Sequence, residues 1–135
     1  MAFEYAYSTN GSDVLPAKNF KLNSTYAATA TKGDVVKFNA SQELVKAGSA
    51  DTEVLGVLES TVFEGIGVAP KLGQVKLSEE AIYRTPFTGG TPVVGTVYPI
   101  NASQVLNAGG TGGIFKVIDV KGSNAYVQIT ATTFE

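Results

Sequence analysis

The sequence predicts an all-β fold: a compact β-sandwich or β-barrel built from two related hairpin units, with an extended N-terminal arm. Three observations predict it. Short runs rich in Val, Ile, Phe, Tyr and Thr are separated by turn signals every ~8–12 residues, the spacing of a sandwich or barrel. The stretch Gly33-Asp34-Val35-Val36-Lys37-Phe38-Asn39-Ala40-Ser41-Gln42-Glu43-Leu44 returns as Gly95-Thr96-Val97-Tyr98-Pro99-Ile100-Asn101-Ala102-Ser103-Gln104-Val105-Leu106, at a constant offset of 62 residues. No amphipathic helix of ordinary length competes. Two copies are too few for a solenoid, so the duplication points to one domain made of two related β units.

The elements follow in order. Residues 1–31 read as an extended arm, with Phe3, Tyr5, Tyr7, Phe20 and Tyr26 scattered among Ser, Thr, Asn, Gly and Ala. Phe3, Tyr5 and Tyr7 alternate, so an extended chain puts all three on one side. Such an arm either covers the domain's own core or lies on a partner with its aromatics inserted. Asn10-Gly11-Ser12-Asp13 is a turn signal.

The β domain spans 32–135, with the duplication over 33–59 and 95–119. Val35-Val36-Lys37-Phe38 and Leu44-Val45-Lys46-Ala47 flank the polar tip Asn39 to Gln42, a hairpin pattern. Val54 to Val62 is a strand in which Gly56 marks a bulge or a close approach. Gln74 to Leu77 alternates polar and apolar. Ser78 to Tyr83 reads as one helical turn capped by Ser78, or equally as a strand running into Arg84-Thr85-Pro86.

Past the turn Thr88 to Pro92, Val93 to Tyr98 is a strand, and Asn101 to Gln104 is the second tip. Pro99 lacks an N–H, which places this second hairpin partly at an edge. Gly109 to Gly113 is a loop. Phe115 to Val120 and Tyr126 to Thr132 are the last strands, joined through Lys121-Gly122-Ser123-Asn124. Val57-Leu58-Glu59 and Val117-Ile118-Asp119 read as a second echo of the repeat, which aligns Glu59 with Asp119.

Composition narrows function. The 135 residues fit one domain, 44% hydrophobic and only 16% charged, against a typical charged share of roughly 25%. The surface is therefore covered largely by Ser, Thr, Asn, Gln and Gly, which suits a protein mostly in contact with something. A net charge of −2 and a pI near 5.1 argue against nucleic-acid binding. No run of ~18 apolar residues is present, so no membrane span is expected. The first residues lack a basic and then apolar signal segment. Without Cys there is no disulfide or thiolate metal site.

With no His, the usual general base and the commonest metal ligand are also missing. Gly65-Ile66-Gly67-Val68-Ala69-Pro70 lacks the third Gly and the helix of a dinucleotide loop. Glu59 and Asp119 are the one carboxylate pair that the repeat could bring together for glycan chemistry, and two solvated strand-end carboxylates are the plainer reading. Glu79-Glu80 with Glu59 or Glu64 lacks the Asp-x-Asp spacing of a Ca²⁺ site. The expectation is no enzyme, no cofactor and no metal. Arg84, the sole Arg, either anchors a partner or pairs with an internal carboxylate. Asn10, Asn23, Asn39 and Asn101 each open an Asn-x-Ser/Thr triplet and read as turn residues.

Four segments, Gly33-Asp34-Val35-Val36, Glu53 to Glu59, Pro92 to Tyr98 and Lys116 to Val120, stand in an order that resembles small capsid decoration, or cement, proteins of tailed bacteriophages. The likeness covers roughly residues 31–131. It departs at Thr96, where the first copy has Asp34, and leaves 1–31 unmatched. The resemblance implies a β-rich virion protein on the exterior of an icosahedral shell, partnered by the major capsid protein and by itself as a homotrimer. The partner-binding residues expected on this reading are Phe3, Tyr5, Tyr7, Phe20 and Arg84. The other expectation is an adhesive or carbohydrate-binding β module displayed on a virion.

Overall fold

A computed structural model describes residues 3–9, 17–62, 70–77 and 80–132. Among these residues, eleven strands and one short helix run in the order β1 (Glu4–Ser8), β2 (Ala17–Lys21), α1 (Ser24–Ala27), β3 (Val35–Phe38), β4 (Leu44–Lys46), β5 (Gly56–Val62), β6 (Leu72–Lys76), β7 (Ala81–Thr88), β8 (Val97–Tyr98), β9 (Leu106–Asn107), β10 (Phe115–Lys121) and β11 (Asn124–Ile129). They form two sheets in a sandwich-like arrangement. One has the order β2-β6-β5-β3-β4; the other runs β1-β7-β11-β10-β8, with β9 on β7. The all-β class is as the sequence predicts. Asn10 to Asp13 and the Gly65 to Ala69 part of the glycine-rich segment lie outside the described residues, as do Ser78 and Glu79. The chain is already a strand by Ala81.

The duplication is larger than its sequence echo. Each sheet contains the same five-strand unit in the same chain order. Unit 1 is β2 to β6 and unit 2 is β7 to β11, with β1 added to the outer side of β7. Small details repeat. Leu44 bridges Leu22 in parallel just after β2, and Leu106 pairs Phe87 in parallel at the end of β7. Leu44 pairs Phe38 across the first hairpin as Leu106 bridges Ile100 across the second.

The two entry glycines explain why both copies start on Gly. Gly33 (φ 98°) and Gly95 (φ 89°) sit in the left-handed region that a Cβ disfavours. Gly33 N–H donates to Leu58 O and Leu58 N–H donates to Asp34 O, so two residues face one. Gly95 and Thr96 face Val117 in the same way. This is a glycine-led β-bulge, which bends the entering strand and increases its twist. At Gly56 the constraint is space, because a Cβ there would lie 2.8 Å from Val75 Cγ1.

These bonds also correct the second echo. Leu58, not Val57, is the counterpart of Val117. Glu59 therefore matches Ile118, and both are the extra residue of a register shift in their strands. The Glu59–Asp119 equivalence drawn from the sequence is off by one residue.

Each unit has its own core. Leu22, Val36, Leu44, Leu55, Leu58 and Val75 fill unit 1, closed by Tyr26 and Ala27 of α1. Their counterparts Tyr98, Leu106, Ile114, Val117 and Val127 fill unit 2, with Phe87 packed against them. The other face of β3 and β5, through Val35 and Val57, joins the unit 2 cluster and fuses the halves. Burying one such side chain is worth about 1.5–3 kcal/mol.

Of the described residues before Gly33, β1 and β2 are extended but lie within the sheets, and Ser24–Ala27 is helical rather than part of an arm. β1 pairs antiparallel with β7, and Ala17–Lys21 pairs with β6. The expectation that Phe3, Tyr5 and Tyr7 share a side fails because the register shifts between Tyr5 and Tyr7. Phe3 is fully buried, its ring 5.3 Å from that of Phe115. Tyr5 stands edge-on to buried Tyr83, while Tyr7 lies over Tyr126 on the outer face.

Candidate functional surface

The surface around β1, β7 and β11 gathers three of the predicted contact residues, Tyr5, Tyr7 and Arg84. In the pairing of β7 with β11, Tyr83 and Val127 face the core, so Arg84 and Tyr126 face outward. Glu4 lies opposite Arg84 on β1, and Arg84 Nη2 donates to Glu4 Oε2 at 2.6 Å. The carboxylate beside it, with Tyr126 contributing, raises the Arg84 pKa further above its usual value. Both side chains remain close to half exposed, so water screens the pair and it adds little to stability.

Tyr7 is 45% exposed, with its ring 6.3 Å from that of Tyr126, and Lys121 Nζ sits 5.5 Å from the Tyr126 ring centre. Tyr5, Tyr7, Tyr126, Arg84, Glu4 and Lys121 line a shallow hollow of about 340 Å³. It offers aromatic faces, one guanidinium and one carboxylate, the equipment of a contact surface.

The remaining predicted contacts lie elsewhere. Phe3 is sealed in the core and offers nothing to a partner in this arrangement. Phe20 is on the other sheet, half-buried, edge-on to Phe38 at 5.3 Å with Lys18 over its ring. Near it, Lys21, Leu22, Ser24, Ala27, Glu43 and Lys71 line a second hollow of about 460 Å³. Bonds from Lys21, Asn23 and Asn39 hold the Glu43 carboxyl below the ordinary range.

Glu59 and Asp119 stand on different sheets, on β5 and β10. Asp119 accepts from Val120 N–H and lies 3.8 Å from Lys121 Nζ. Glu59 Oε1 is buried without a hydrogen-bond partner. The geometry therefore does not assemble the carboxylate pair that the repeat suggests.

The asparagines act as turn residues where they are described. Asn23 caps α1, its side chain accepting from Thr25 N–H and Tyr26 N–H. Asn39 Oδ1 accepts from the N–H groups of Ser41 and Glu43, and Asn101 Oδ1 does the same for Ser103 and Val105. Both tips end on a glutamine at positive φ, Gln42 at 62° and Gln104 at 60°. The tips are built alike, yet they are used differently.

Gln42 is exposed, whereas Gln104 is only 3% exposed. Gln104 Oε1 accepts from Val35 N–H at 2.9 Å, and its Nε2 donates to Val35 O and Ala47 O at 2.9 and 2.8 Å. The tip of unit 2 thus clamps the entry strand of unit 1. Sequence reasoning marked the repeated Asn-Ala-Ser-Gln but had no means to assign this role, since the two copies are identical there. It also passed over Val93 and Val94, which are 61% and 59% exposed.

No protein-family model, curated protein or solved structure matches this chain.

Proposed function

We propose that this chain is a structural virion protein that binds the outside of an icosahedral phage capsid, through the major capsid protein and through copies of itself as a homotrimer, and stabilises the shell against internal DNA pressure. The observation that carries this reading is where the resembling segments fall. Gly33-Asp34-Val35-Val36 and Pro92 to Tyr98 lead into β3 and β8. Glu53 to Glu59 runs into the partner strand β5, and Lys116 to Val120 lies within the partner strand β10. The resemblance therefore rests on corresponding strands of the two units. The low charge and the exposed aromatic and aliphatic side chains support it.

The action would be mechanical: each bound copy buries apolar area on the shell at ~25 cal/mol per Å². Many copies convert modest single-site affinity into large avidity. Co-sedimentation with purified capsids in unexpanded and expanded form tests the reading, with binding expected and absence from both pellets overturning it. The hollow at Tyr7, Tyr126 and Arg84 favours a second reading, a carbohydrate-binding β module. Capsid-free binding to a glycan array, lost in Tyr126→Ala, would select that one.

A further inference from the structure

We propose that a second copy of this chain docks head-to-tail on the entry edge of unit 2, with the Gln42 tip of one copy seated against the Val93–Val97 edge of the next. The template is inside the molecule. The unit 2 tip already holds the unit 1 entry strand through Gln104, Val35 and Ala47. By the 62-residue offset, the counterpart of Val35 is Val97 and the counterpart of Gln104 is Gln42.

Had the units faced each other about a twofold axis, Gln42 would hold Val97 within the same chain. Instead Gln42 is exposed. The internal contact is therefore heterologous: a used tip and a used edge lie between the units, and a tip and an edge are left over at the ends. Repeating such a contact between copies makes a ring if the rotation closes and a filament if it does not.

Three features fit the edge for this occupant. β9 leaves β8 early: Ala108 N–H donates to Thr88 O, whereas in unit 1 the corresponding strand continues and Ala47 N–H donates to Val35 O. Among the described residues, the outer side of Val97 is thus without the strand neighbour that Val35 has. The turn leading into Val97 closes through Thr96 N–H to Val93 O, as Asp34 N–H to Thr31 O does in unit 1. At that turn unit 1 carries Thr31 and Lys32, while unit 2 carries the exposed pair Val93 and Val94. Apolar side chains stand where a partner is missing and polar ones where the chain supplies its own.

This inference rests only on the self-association part of the proposed function. Its test contains no capsid, so failure here leaves shell binding standing, and failure to bind shells leaves this contact standing. The experiment is sedimentation velocity of the purified full chain over a hundredfold concentration range, alone and as Gln42→Glu and Val94→Lys variants. Both residues are exposed, and the thermal transition of each variant checks that it folds.

The expected result is concentration-dependent assembly of the unsubstituted chain and a monomer for each variant alone. An equimolar mixture of the two variants should stop at the dimer, because Val94→Lys contributes an intact tip and Gln42→Glu an intact edge. A chain that stays monomeric throughout, or assembly that neither substitution weakens, would overturn the proposal. So would a mixture that behaves as its separate parts.

Discussion

The two hairpin tips, 39–42 and 101–104, share four residues, the same side-chain turn and the same backbone at their final glutamine, yet one meets solvent and the other holds the molecule together. Local sequence sets the local shape in both, since Asn39 and Asn101 satisfy the tip N–H groups by identical bonds. What each shape is worth depends on what the rest of the chain brings against it. The unit 1 entry strand is brought against Gln104, and no described residue bonds the Gln42 side chain. A buried amide with three hydrogen bonds is costly to disturb, because each orphaned group keeps its desolvation penalty.

The comparison can be broken most forcefully at the cores. Leu44 and Leu106 are counterparts and both fully buried. Leu44→Ala and Leu106→Ala should each lower unfolding free energy by about 2–5 kcal/mol. Because Val35 and Val57 belong to the unit 2 cluster, urea melts of both should stay single transitions. A biphasic curve for either would mean that the units fold independently.

The tips give the next effect. Gln104→Ala should cost on the order of 3 kcal/mol from the orphaned groups of Val35 and Ala47, while Gln42→Ala should stay within about 0.5 kcal/mol. Both changes leave a Cβ at the same positive φ, so the difference isolates the clamp. Equal urea midpoints for the two variants would remove its energetic role.

Alkaline pH probes one buried tyrosine in each unit. Burial, then the hydrogen bond to Asp34 and its charge, raise the Tyr26 pKa in unit 1 above the usual value near 10. Burial, then the charges of Glu59 and Tyr5, raise that of Tyr83 in unit 2. Both stay protonated in the folded chain when the unfolded chain ionises. Their contribution is whole below pH ~10 and falls as pH rises, by about 1.4 kcal/mol per pH unit for each tyrosine, until the folded group also ionises. Denaturant titrations from pH 9 to 11 should show this slope, and Tyr26→Phe and Tyr83→Phe should each flatten it. A small gain is expected as well: Gln42→Gly, at a positive φ with its side chain in solvent, should stabilise by about 0.5–1 kcal/mol in the same melts.

The sequence made the repeated hairpins legible because their tips need Asn for the side-chain turn and Gly for the entry bulge. Those demands leave fixed letters behind. The strands around them left no such trace. β2 and β7 are counterparts, but Ala17–Lys21 is mostly exposed while Ala81–Tyr83 is buried, so their residues differ. The alignment of Val57 with Val117 erred by one because neighbouring aliphatic residues look alike, and only the bonds of Leu58 and Val117 fix the register. Phe3, Tyr5 and Tyr7 do not share one face because the register shift after Tyr5 leaves no mark on alternation, and Tyr26, expected in an extended arm, lies in α1. Of the residues lining the hollow, Tyr5, Tyr7 and Arg84 could be picked out by their chemistry. Tyr126 could not, because its role comes from standing opposite Arg84 on a strand some forty residues away.

The pairing of β1 with β7 also orders events in time. Glu4 and Arg84 are separated by 80 residues, so β1 leaves the ribosome well before its partner strand exists. Unit 1 can gather most of its own core during that interval, since its residues from Leu22 to Val75 are already present. Phe3 must meanwhile wait in water for Phe115. A contact of such long range is slow to form and leaves apolar surface open while it is pending. Though made long before its partner, β1 is among the last strands to be seated, and a nascent chain halted between the units would present it, unpaired, to whatever neighbour arrives first.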